Sequence, residues 1–107
     1  MMFDPSSTLV VFAMREEAGA QFDALPSRVL FTGLGKVNAA YTLTRAVTMC
    51  RPALVISFGT TGSAVLAPGT LVECTSFVQR DMDVRPLGIP LGTTPLDPVT
   101  AVLEAPR

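Results

Sequence analysis

Leu9-Val10-Val11-Phe12-Ala13-Met14-Arg15-Glu16-Glu17 is the stretch that decides the fold. Its first four residues form a continuous apolar run, the pattern of a parallel strand covered on both faces. Two carboxylates follow where the strand ends and a helix begins, the place where open α/β sheets bind ligands. That position makes Glu17 the candidate for chemistry. The plainer reading makes Glu16 and Glu17 first-turn acids, favoured near a helix N-terminus by its dipole.

Working outward, Arg28-Thr32 and Ala53-Phe58 also read as strands. Leu71-Val78 alternates imperfectly after the turn Ala67-Pro68-Gly69 and is expected as a fourth. A first helix is predicted over Arg15 to Leu25, weakened by Gly19. A second runs from Lys36 to Cys50, with Val37, Ala40, Tyr41, Thr44 and Val47 on one stripe and Pro52 as its stop. Strands alternating with helices imply a parallel sheet with right-handed crossovers. The fold class is α/β, a three-layer arrangement with a mainly parallel sheet and flanking helices.

Five of the nine prolines lie in the last 23 residues, so 85–107 reads as a loop or lid with one helical turn at Pro98-Glu104. Residues 1–107 are expected to form one partial domain, since neither an internal repeat nor a linker with folded sequence on both sides is visible.

Two glycine turns join this framework. Gly33-Leu34-Gly35-Lys36 leads from the second strand into the long helix and offers free N–H groups to an anion or a hydroxyl-rich ligand. It does not complete a dinucleotide fingerprint, because Asn38 occupies the third glycine position, and Lys36 lacks the context of a Walker loop. Gly59-Thr60-Thr61-Gly62-Ser63 follows the third strand and could hold a phosphate, a ribose or a nucleophilic water. Each turn alone also reads as plain solvated backbone. On parallel strands, however, both would join the Glu17 turn along one edge of the sheet and make a pocket.

Composition narrows the function. Hydrophobic residues make up 49% and charged residues 16%, enough apolar material for a core. A net charge of −1 gives no reason to expect nucleic acid or an anionic membrane as partner. The longest apolar run, Leu9 to Met14, is far short of the ~20 residues of a membrane span. With no basic N-terminal leader, a cytoplasmic location is expected. The chain has no histidine, which excludes Ser-His-Asp and Cys-His catalysis within it. Cys50 and Cys74 read as small core residues, without a disulfide, and neither a metal nor a cofactor is expected.

Four motifs then resemble the nucleoside phosphorylase/nucleosidase superfamily, in particular its methylthioadenosine/S-adenosylhomocysteine nucleosidase members. They are Ala13-Met14-Arg15-Glu16-Glu17, Gly33 through Ala40, Arg51-Pro52-Ala53-Leu54-Val55-Ile56 with Gly59-Thr60-Thr61-Gly62, and Asp81-Met82-Asp83-Val84. The resemblance runs from about Leu9 to Gly88. It implies hydrolysis of the N-glycosidic bond of a purine nucleoside, as in methionine salvage. Glu17 would polarise the attacking water. Met14, Gly59, Thr60, Thr61 and Gly62 would bind substrate beside it, and Leu34 would line the 5′-substituent pocket. Val84 and Leu87 fall where a partner subunit closes that pocket, implying a homodimer. Burial beside an apolar strand is expected to raise the Glu17 pKa.

Three departures qualify the match. Arg15 replaces an acid found in relatives, and one hairpin strand of the family sheet has no counterpart. The family's later half also supplies a Met-Glu pair for the ribose, a base-stacking aromatic and an Asp that protonates the purine. None occurs in these 107 residues, so impaired turnover is expected, and the chain would need a homodimeric partner or its C-terminal half. Two alternatives stay open. One is a nucleoside phosphorylase, with Lys36 and Arg80 contacting phosphate. The other is a non-catalytic nucleoside-binding domain.

Overall fold

The computed structural model describes residues 4–97 and 102–105. The backbone divides into two compact units, residues 1–64 and 65–107.

In the first unit, β1 (Thr8–Phe12) lies between β2 (Arg28–Phe31) and β3 (Leu54–Ser57) in a three-stranded sheet of order β2-β1-β3. Both pairings are parallel, with Phe12 opposite Phe31 and Val11 opposite Ser57. Every residue of β1 is buried, as its unbroken apolar run requires. The strands on either side are partly exposed. Val10 and Phe12 share one cluster with Ala18, and Phe22, Val29 and Phe31 pack against it. Phe12 meets Phe22 edge-on at 4.8 Å and Phe58 at 5.7 Å between ring centroids.

Strand order reverses at β1, because the chain pairs β2 on one side of it and β3 on the other. With right-handed crossovers, such a reversal sends successive connections to opposite faces and opens a crevice at the strands' carboxyl ends. The α/β architecture with a mainly parallel sheet is thus observed in small form.

The first helix is shorter than its sequence suggests. α1 covers Arg15–Ala18, and Gly19 (φ +60) then turns the chain into a single 3-10 turn at Ala20–Phe22. Only glycine adopts that backbone conformation without strain. α2 spans Lys36–Cys50 as predicted. It is entered from Gly35 (φ +89) and ends at Arg51, which is left-handed (φ +42) ahead of Pro52.

Its inward stripe differs from the predicted one. Ala39, Thr42, Leu43, Ala46 and Cys50 are half-buried, whereas Val37, Ala40, Tyr41, Thr44 and Val47 are exposed. Both stripes have helical spacing and apolar or small members, so periodicity alone does not choose between them. The geometry does choose: the Thr42 hydroxyl donates to the Thr32 carbonyl (3.4 Å).

In the second unit, β4 (Ser76–Val78) pairs antiparallel with β5 (Val102–Glu104) in a separate two-stranded sheet. The strand expected over 71–78 is therefore limited to its last three residues, because its partner is equally short. Residues 102–104 form that partner and not the helical turn expected at 98–104, of which 98–101 lie outside the described residues. A 3-10 turn occupies Arg85–Leu87. Cys74 precedes the strand and is exposed, against its expected core role. Cys50 is half-buried, its thiol donating to the Ala46 carbonyl (2.9 Å).

Candidate functional site

Three turns leave the carboxyl ends of β1, β2 and β3, and the ladder continues briefly past the strands to fix them. Thr32 N–H donates to the Phe12 carbonyl and Gly33 N–H to the Ala13 carbonyl, both at 2.9 Å. On the other side, Phe58 N–H donates to the Val11 carbonyl at 2.9 Å. The start of α1 and the Gly59-Thr60 turn are thereby held next to each other at the strand-order reversal.

Glu17 closes that gap. Its Oε2 accepts the Thr60 backbone N–H (2.9 Å) and the Thr60 hydroxyl (3.0 Å), across 43 residues of sequence. Its Oε1 accepts the Met14 N–H (3.1 Å), while Glu17 N–H returns to the Met14 carbonyl (3.2 Å). A carboxylate offers roughly four acceptor positions. The Ala13 N–H is a further donor to this carboxylate, so the side chain is held by backbone on one side and by the Thr60 turn on the other.

The same donors lower the Glu17 pKa below the ordinary glutamate value. The Thr60 N–H contributes most and its hydroxyl next, outweighing desolvation. This reverses the expectation of a raised pKa: the carboxyl is half-buried among hydrogen-bond donors that stabilise its charged form. Glu17 is an anion through the neutral range.

Of the sequence-predicted site residues, Met14, Glu17, Gly59 and Thr60 are brought together. A Cβ on Gly59 would stand 3.1 Å from Glu17 Oε2. Thr61 and Gly62 continue the same exposed turn. Leu34 is 62% exposed on the neighbouring turn, where the Asn38 amide donates to its carbonyl (2.8 Å). Val84 and Leu87 belong to the second unit. There Val84 is half-buried and accepts the Leu87 N–H (2.9 Å), while the Leu87 side chain is exposed.

Arg15 is exposed and lays its guanidinium 4.6 Å from the centre of the Phe31 ring, so it leaves the Glu17 carboxylate alone. An open cleft of about 290 Å³ in this unit is walled by Arg15, Phe22, Asp23, Val29 and Phe31, and none of the Glu17–Thr60 contacts lies in its walls. Sequence reading missed the aromatic cluster under the site. Its signal was available in the phenylalanines at strand ends, Phe12, Phe31 and Phe58, which arrive together once the strands are parallel.

Among the described residues, no group of three or more His, Cys, Asp or Glu side chains is placed to hold a metal ion. No helix among them is long and apolar enough to cross a membrane.

Comparison with known proteins bears on the family. The chain is 35% identical over 88 residues to the 5′-methylthioadenosine/S-adenosylhomocysteine nucleosidase of Geobacillus thermodenitrificans (strain NG80-2), a span covering 80% of this chain and 37% of that protein. It is 33% identical over 82 residues to the nucleosidase of the same name from Marinomonas sp. (strain MWYL1), covering 75% and 36%. The chain thus spans little more than a third of the length of these curated relatives. A family model described as Phosphorylase superfamily matches residues 23–105. That match takes in Thr60 and begins after Glu17. With most of its length matched and a parallel α/β sheet beneath its glycine turns, the chain belongs to the phosphorylase superfamily.

Proposed function

We propose that this chain carries the water-activating part of a purine nucleoside N-ribosyl hydrolase of the methylthioadenosine/S-adenosylhomocysteine type. The observation that carries the reading is the Glu17 carboxylate held by the Thr60 N–H and hydroxyl at the sheet's strand-order reversal. Cleavage of the C1′–N9 bond leaves positive charge on the ribose. An anion fixed nearby favours that charge without reorganising as it develops. A water beside Glu17 attacks C1′ and gives its proton to the carboxylate, while adenine departs with the bonding electrons and takes up a proton from solvent.

Met14, Thr61 and Gly62 line the ribose side in this reading, and Leu34 the 5′-substituent. Val84 and Leu87 close the pocket from a partner subunit of a cytoplasmic homodimer. The residues that would clamp the ribose hydroxyls and protonate the base have no counterpart in these 107 residues. Assayed alone, the chain should therefore release adenine slowly. General acid catalysis by itself is worth ~100- to 10,000-fold.

The test is adenine release from methylthioadenosine in phosphate-free buffer. Glu17→Gln is expected to lower whatever rate the parent chain shows by about 100-fold or more. Full turnover in that variant would overturn the role of Glu17. Release that requires phosphate would replace hydrolysis by phosphorolysis. Calorimetric binding of methylthioadenosine with no product at all would favour the non-catalytic reading.

A further inference from the structure

We propose that Gly59 is a positioning residue for Glu17: its missing side chain leaves the space in which the carboxylate reaches Thr60. Sequence reading places Gly59 among substrate contacts, and this positioning role stands beside that one.

Glycine is needed where φ is positive or where another group approaches closely. Gly59 is not among the positive-φ residues, so the first reason does not apply. The second does. An added Cβ would meet Glu17 Oε2 at 3.1 Å and its Cδ at 3.9 Å. That oxygen is the one accepting both Thr60 donors. It cannot retreat without lengthening two hydrogen bonds, and Oε1 is tied to Met14 N–H on the other side. The carboxylate is thus wedged between the backbone of residue 59 and its donors, and a methyl group would press on the hydrogen-bonded atom itself.

Gly62, three residues on in the same turn, is a matched contrast. It also lacks a positive φ, and a Cβ there would meet nothing within 4 Å.

The consequence for catalysis rests on the proposed role of Glu17, but the test does not need turnover. The Glu17 side-chain carboxyl is followed by ¹³C NMR titration in the full chain, in Gly59→Ala and in Gly62→Ala. Gly59→Ala is expected to move the Glu17 pKa up toward the ordinary glutamate value, with Gly62→Ala leaving it in place. An unmoved titration in Gly59→Ala, or equal shifts in both variants, would overturn the proposal.

Should Gly59→Ala fold too poorly to titrate, its effect on Tm is compared in the parent and in Glu17→Ala, by a double-mutant cycle. A Tm loss that disappears once the carboxylate is gone supports the wedge. An equal loss in both backgrounds refutes it. Failure to release adenine from methylthioadenosine would bear only on the function proposed for Glu17.

Discussion

The two units of this chain are built on opposite terms. The first surrounds a strand whose five residues are all buried, and its Glu17–Thr60 contact and phenylalanine cluster join segments far apart in sequence. The second has three-residue strands with every residue exposed, and it holds a local ionic contact in which Arg85 grips Asp83 through Nε (2.8 Å) and a terminal guanidinium nitrogen (2.7 Å). Long-range contacts exist only when the chain is folded, so they can hold a catalytic group in place. Contacts between residues two apart persist in an unfolded chain and fix little beyond their own turn.

The largest expected consequence is in stability. Phe12 is 1% exposed, whereas Phe77 on β4 is 48% exposed. Phe12→Ala should cost about 3–5 kcal/mol through lost burial and the cavity left behind. Phe77→Ala should cost about 1 kcal/mol or less, as surface changes generally do. Urea unfolding of both variants measures the gap, and equal costs would remove the distinction between the units.

A smaller effect should appear in acid. The folded-state pKa values of Glu17 and Asp83 are both lowered, the first chiefly by the Thr60 N–H and the second chiefly by the Arg85 side chain. A lowered carboxyl stabilises the fold fully above its unfolded pKa, and this contribution is lost as pH falls through the folded value. For Glu17 that loss begins below its ordinary value of 4.5. Glu17→Gln should therefore flatten the decline of stability on the acid side. Asp83→Asn should change it less, because the Arg85 pairing survives in part without the fold. Acid titrations monitored by circular dichroism separate the two, and a larger effect from Asp83 would contradict the contrast.

The smallest effect concerns the end of α2. Arg51 sits at φ +42, a left-handed conformation costing an L-residue roughly 1–2 kcal/mol. Arg51→Gly removes that strain but adds unfolded-chain freedom worth about 0.4–1 kcal/mol. The net should be a gain of about 0.5 kcal/mol, read as a small rise in the urea midpoint.

The same contrast explains what the sequence disclosed. The apolar run at Leu9-Phe12 marks a parallel strand because burial on both faces leaves no polar alternation. Ala53-Phe58 also marks a parallel strand, but β3 lies at the sheet edge with alternate residues exposed rather than covered on both faces. Pro52 marks the end of α2. The glycine turns indicated where ligand chemistry would gather, since turns at the carboxyl ends of parallel strands must share an edge. Three features were not legible. The inward stripe of α2 is chosen by where the helix meets the chain ahead of it, as in the Thr42–Thr32 hydrogen bond, not by its own period. The length of β4 depends on a partner distant in sequence, through the pairing of Ser76 with Glu104 and Val78 with Val102. The direction of the Glu17 pKa shift depends on donors that only tertiary structure supplies.

Glu17 and Thr60 are bonded across the strand-order reversal. The most direct measurement is the backbone amide of Thr60, followed by ¹H–¹⁵N NMR from neutral pH into acid. Its proton shift should follow the ionisation of Glu17, with a midpoint below 4.5, and the transition should vanish in Glu17→Gln. A Thr60 amide that ignores the protonation of Glu17 would contradict that bond.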